Sequence, residues 1–82
     1  MVEVEYSSTF EKAIRKIKDV KFKNHIKSQM LKIINNPEIG KPLRYNLKGE
    51  RTVYVKPYRI IYSYNNNILS FLIFEHRDDV YN

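Results

Sequence analysis

Eighty-two residues, 43% of them hydrophobic, suffice for one globular domain with a modest core, expected to span residues 1–82. The chain has no cysteine, which excludes a disulfide framework and a thiolate metal site, and no apolar run near the roughly 18–20 residues that cross a bilayer. Fifteen Lys and Arg against nine Asp and Glu give a net charge of +6, and the opening MVEVEYSS has neither the basic nor the apolar part of a signal peptide, so the expected location is the cytoplasm.

VEVEY (residues 2–6) alternates apolar and polar side chains, the pattern of a half-buried strand. Ser8 with Glu11 three residues on is a capping-box signature. A helix is expected from there, with Phe10, Ile14 and Ile17 on its apolar side and an end near Asp19-Val20. Phe22, Ile26, Met30, Ile33 and Ile34 make the stripe of a second helix, which NNP (35–37) closes because Pro37 disfavours a helical residue before it. The link between the two is very short, so they are expected to form an antiparallel hairpin. Beyond Pro37 the chain turns to strand patterns. RYNL (44–47) suits a short strand, and Gly49-Glu50 a turn. RTVYV (51–55), YRIIYSY (58–64) and ILSFLIFEH (68–76) are rich in β-branched and aromatic residues, with KP and NNN as the turns between them. ILSFLIFEH is the most apolar and is expected at the centre of the sheet. Three strands so joined make an antiparallel meander, and the amphipathic hairpin can cover its apolar side. The fold class is α+β: a helical hairpin packed on a twisted antiparallel sheet.

Charge is uneven along the chain. From Lys41 to Arg59 the cations Lys41, Arg44, Lys48, Arg51, Lys56 and Arg59 face Glu50 alone. That concentration suits either a polyanion, through phosphate contacts, or a solvated basic surface. Gly40 and Gly49 do not make a phosphate loop, His25 and His76 lie far apart, and no serine sits in a nucleophile motif. Neither a metal nor another cofactor is expected, and His25 reads as structural or exposed. In the meander the start of the 58–64 strand lies beside the end of the 68–76 strand. One end of the sheet therefore gathers Lys56, Arg59, His76, Arg77 and, beyond the strand, Tyr81. Arg51 begins the preceding strand and lies at the other end. Cations, an imidazole and a phenol suit RNA cleavage without a metal. The ribose 2′-OH supplies the nucleophile, histidine moves a proton, arginine and lysine stabilise charge on the phosphoryl oxygens, and tyrosine orients, stacks or helps with the proton.

In this order and spacing GKPLRYNLKGERTVYV, YRIIYSY and the closing HRDDVY resemble the RelE/ParE superfamily of bacterial and archaeal toxins. The resemblance covers nearly the whole chain. It implies the toxin of a type II toxin–antitoxin module, specifically a ribosome-dependent, metal-independent mRNA endoribonuclease. It places the family's arginine at Arg59, its C-terminal histidine or basic residue at His76 or Arg77, and its terminal tyrosine at Tyr81. Arg44, Lys48, Arg51 and Lys56 are then the RNA-binding cations. The partners implied are the ribosome, mRNA and a RelB-type antitoxin, acidic and partly disordered, held in a heteromeric complex; no membrane is involved. The chain departs from many RelE-type enzymes on the strand before YR. Thr52 and Tyr54 stand where two basic residues are usual, so Arg51 and Lys56 are expected to take their part. The alternative is a ParE-type toxin that inhibits DNA gyrase without cutting RNA. Such chains usually have a longer hairpin and lack the terminal His/Arg/Tyr group, which favours the nuclease. A non-catalytic nucleic-acid-binding module comes third.

Overall fold

The computed structural model describes residues 2–43 and 49–78. In chain order these form β1 (Glu3–Tyr6), α1 (Ser8–Arg15), α2 (Val20–Asn35), β2 (Lys41–Pro42), β3 (Glu50–Val55), β4 (Tyr58–Asn65) and β5 (Ile68–His76). The two helices and the strands expected at 51–55, 58–64 and 68–76 are all present. RYNL lies outside the described residues; just before it, Lys41 and Pro42 form the two-residue β2.

The helix boundaries follow from their caps. Ser7, not Ser8, caps α1: its Oγ accepts the Phe10 N–H at 2.9 Å. Asp19 does not end α1 but begins α2, with Oδ1 accepting the Lys21 N–H at 3.0 Å. A side-chain acceptor at this position satisfies backbone donors that the first turn leaves free. At the β4–β5 turn Asn66 and Asn67 adopt φ of 51° and 66°, the left-handed conformation that asparagine tolerates.

The strand order is β1-β5-β4-β3-β2. β3, β4 and β5 pair antiparallel, as the tight turns between them require, and β2 pairs antiparallel with β3, but β1 joins β5 in parallel. The sheet is therefore mixed, and β4 rather than β5 is its middle strand. No hairpin connects β1 to β5: two helices intervene, so no tight turn dictates that pair's direction.

One irregularity decides which side chains share a face. Phe71 pairs with Tyr62 and Ile73 with Ile61, so Leu72 is an extra residue in β5. Ser7 holds this bulge. Its N–H donates to Phe71 O at 2.9 Å and its Oγ–H to Leu72 O at 2.6 Å, taking two consecutive carbonyls from one side. Tyr58, Ile60, Tyr62, Phe71 and Phe74 pack with Phe10, Ile26 and Ile33 in the core, with Ile14, Ile17, Phe22 and Met30 partly buried around them. By strand alternation Thr52, Tyr54, Arg59, Ile61, Ile73 and Glu75 occupy the other face. Ile61 and Ile73 thus stand opposite each other on the face away from the helices, where Ile61 is nonetheless buried.

At the opposite end of the sheet from His76, Tyr62 and its cross-strand neighbour Arg51 hold the segment that follows α2. The Tyr62 hydroxyl donates to Pro37 O and accepts the Gly40 N–H, both at 2.8 Å. Arg51 Nη1 donates to Gly40 O at 2.8 Å and to Glu38 O at 3.1 Å. Only glycine permits this approach, since a Cβ on residue 40 would stand 2.5 Å from Tyr62 Oη. Burial pushes the Tyr62 phenol above its ordinary range, against the opposing pull of the Gly40 hydrogen bond and the Arg51 charge.

Candidate functional site

On the face away from the helices, one row of side chains crosses three strands. Tyr54 on β3 pairs with Arg59 on β4, and Arg59 pairs with Glu75 on β5. Arg59 Nε lies 3.1 Å from Glu75 Oε2, with the two side chains 17% and 28% exposed. The carboxylate engages the Nε edge of the guanidinium, and among the described residues no side chain holds its terminal nitrogens, which can donate to a second anion. Tyr54 is 52% exposed, and Arg77 Cζ lies 5.6 Å from the centroid of its ring. The row therefore ends in a cation over an aromatic ring.

His76 sits on the helix side of the same end. Its ring meets Tyr58 edge-on at 5.2 Å, and Tyr58 stacks on Phe74 at 4.7 Å, so the core fixes the plane on which the imidazole rests. His76 Nδ1 accepts the Asp78 N–H at 3.1 Å, which puts the proton of the neutral imidazole on Nε2. Asp78 Oδ2 lies 3.7 Å from the same nitrogen and can receive Nδ1–H when the ring is protonated. The side chain is 36% exposed and reaches solvent. A cleft of about 410 Å³ opens here, lined by Tyr54, Lys56, Tyr58, His76, Arg77 and Asp78, so it wraps from one face of the sheet to the other. On the other side of His76 a second groove carries Lys12 of α1 and Lys16, which caps that helix. Among the described residues no three His, Asp or Glu side chains converge as metal ligands.

Of the residues expected to act together, Lys56, His76 and Arg77 line one cleft, and Arg59 lies one strand step away on the free face. Arg51 is not with them, because its guanidinium is bound to the backbone carbonyls of residues 38 and 40. Arg44, Lys48 and Tyr81 lie outside the described residues. Four residues around this end of the sheet are not among the expected site residues: Tyr54, which the sequence marks only as a departure from a basic pattern, and Glu75, Lys12 and Lys16. Strand pairing alone would have found Glu75, since any residue opposite Arg59 on the neighbouring strand is a candidate partner.

A family model described as the ParE toxin of type II toxin–antitoxin system, parDE, matches residues 4–81. No curated protein matches the chain. Among solved structures, a chain of the E. coli DinJ–YafQ complex is 27% identical, with all of both chains covered and a TM-score of 0.78. A chain of the intact E. coli RelBE toxin–antitoxin complex is 15% identical over 93% of this chain and 96% of that one, with a TM-score of 0.78. One of the RelB–RelE complex from Methanococcus jannaschii is 20% identical, with 94% of each chain covered and a TM-score of 0.76. The last two likenesses speak for the fold. Because the family match runs through both helices, all the strands and the residues around the cleft, the chain belongs to the ParE toxin family, within the RelE/ParE superfamily of type II toxin–antitoxin toxins.

Proposed function

We propose that this toxin is a ribosome-dependent endoribonuclease that cuts mRNA without a metal. The observation that carries the reading is the end of the sheet where one cleft brings Lys56 and Arg77 together with His76, beside Arg59 on the free face. In the reaction the ribose 2′-oxygen bonds to the adjacent phosphorus, and the bond from phosphorus to the 5′-oxygen breaks. A cyclic phosphate and a 5′-hydroxyl result. Arg59 and Arg77 stabilise charge on the phosphoryl oxygens, with Lys56 along the backbone path. His76 exchanges a proton through Nε2, while Asp78 steadies its other nitrogen. Tyr81 takes the remaining role at the leaving oxygen or the base. The ribosome positions the message, which fits a protein of only 82 residues.

The partner is an acidic antitoxin, partly disordered when free. The structural relatives come from complexes named RelBE and DinJ–YafQ, which supports such a partner here. A chain of net charge +6 attracts an acidic peptide, and wrapping offsets the cost of ordering it. A ribosomal target and an antitoxin partner both fit a cytoplasmic location. Among the described residues no helix is long and apolar enough to cross a membrane.

Toeprinting on translating ribosomes tests the reading. Wild-type protein is expected to produce A-site cleavage stops, and Arg59→Ala to abolish them. The family description names ParE, so gyrase inhibition is the second reading. Loss of supercoiling activity in the presence of the protein, without cleavage stops on ribosomes, would establish it instead.

A further inference from the structure

We infer that Tyr54 is a base-stacking subsite, holding the nucleobase of single-stranded RNA next to the phosphate that Arg59 binds. The inference deepens the nuclease reading, on whose RNA substrate it rests. Tyr54 is 52% exposed in the row that carries Arg59, so a flat partner has access to it from solvent. The two are direct cross-strand partners, so their Cβ atoms stand about 5 Å apart, close to the reach from a nucleotide's phosphate to a neighbouring base. The charges nearby are of the sign that an RNA backbone seeks: Lys56 and Arg77 share the cleft with Tyr54.

Arg77 lies loosely over the ring in the free protein, its Cζ 5.6 Å from the centroid. An exposed cation–π contact is weaker than base-on-aromatic stacking. A base therefore displaces the guanidinium, which is then free to meet a phosphate. The same exchange explains why an aromatic stands where a basic residue is usual. One cation is given up at residue 54, and the stacked base with the released Arg77 replaces its contribution. Stacking tolerates every base, so the subsite adds grip and orientation rather than a sequence code.

The test uses the full chain and a short single-stranded RNA carrying a 2′-deoxy sugar at the cut position, which removes the nucleophile. The chain has no tryptophan, so Tyr54→Trp introduces a single reporter at the subsite. Its fluorescence is expected to be quenched as the RNA binds, and to be unaffected by inorganic polyphosphate, which has charge but no bases. Tyr54→Ala is expected to weaken RNA binding about 10-fold, Tyr54→Phe less than about 2-fold, and neither to change polyphosphate binding. Equal losses in the Ala and Phe variants would overturn the inference in favour of a role for the hydroxyl. An Ala variant that binds RNA as wild type does would also overturn it. If the tryptophan is quenched by RNA but wild-type protein leaves mRNA on ribosomes intact, the subsite stands and the nuclease reading falls. An active nuclease without quenching has the opposite meaning.

Discussion

Replacing Tyr62 with phenylalanine removes one oxygen from the core and leaves the ring. Tyr62 has no exposed surface, so Phe keeps the same buried apolar area, and the loss is confined to hydrogen bonding. Two bonds of 2.8 Å disappear, from the Gly40 N–H and to Pro37 O. Gly40 is buried, so its donor is left without water. Pro37 is half-buried, and its carbonyl can rehydrate. A buried group stripped of its partner costs about 1–3 kcal/mol. One such group, partly offset by no longer burying a hydroxyl, gives a net loss of about 2 kcal/mol. For a chain of this length that lowers Tm by about 8–16 °C. Urea unfolding followed by circular dichroism should show a lower midpoint at an unchanged slope. The pH dependence supplies a second reading. Burial raises the Tyr62 phenol above its ordinary value, so above about pH 10 the unfolded chain loses this proton first. The residue's contribution is thus fully present below pH 10 and is lost as pH rises through the folded-state value. The stability gap between wild type and Tyr62→Phe should narrow there. A loss below about 0.5 kcal/mol, or a gap that stays constant from pH 8 to 11, would refute the reasoning.

Arg59→Ala is expected to slow ribosomal cleavage about 10²–10³-fold, as loss of one charge-stabilising donor does, with the fold intact by circular dichroism; undiminished toxicity in growing cells would reject its role. Ser7→Ala removes a helix cap and the clasp on Leu72 O, for a loss of about 2 kcal/mol, measurable as a Tm drop. Thr52 is buried and its Oγ1 has no partner among the described residues, so Thr52→Val should raise stability by about 1 kcal/mol in the same urea assay; a destabilised Val variant would show that the hydroxyl is satisfied after all. Co-expression of an acidic antitoxin encoded beside this gene should restore growth, and salt should weaken the complex.

The elements were legible because hydrophobic periodicity and turn chemistry are local. Phe10, Ile26 and Ile33 recur at helical spacing and lie in the core; three asparagines in a row sit at a left-handed turn. The direction of β1 was not legible, because a strand's pattern says which side chains face inward but not which neighbour it runs beside. The site was half legible. Strand adjacency brings His76, Arg77 and Lys56 together from order alone. Which face each side chain occupies depends on register, and register turns on Leu72, an apolar residue among apolar residues with nothing to mark it as extra. The part of Arg51 was hidden for a similar reason: charge shows in a sequence, but the backbone carbonyls that bind it do not.

The bulge at Leu72 has a consequence for lineages of such toxins. Pleat alternation has a period of two, so an extra residue taken into the regular ladder would exchange the two sides of every position beyond it, whereas looped out as a bulge it leaves them in place. In β5 the bulge keeps Glu75 opposite Arg59 and His76 opposite Tyr58. A relative that lacked Leu72 would hold the same pairs in an unbroken ladder, with EH in the same order. A single-codon deletion there is thus a neutral path between two such chains, whereas straightening the strand with Leu72 retained would put Glu75 opposite Tyr58 and Phe74 opposite Arg59.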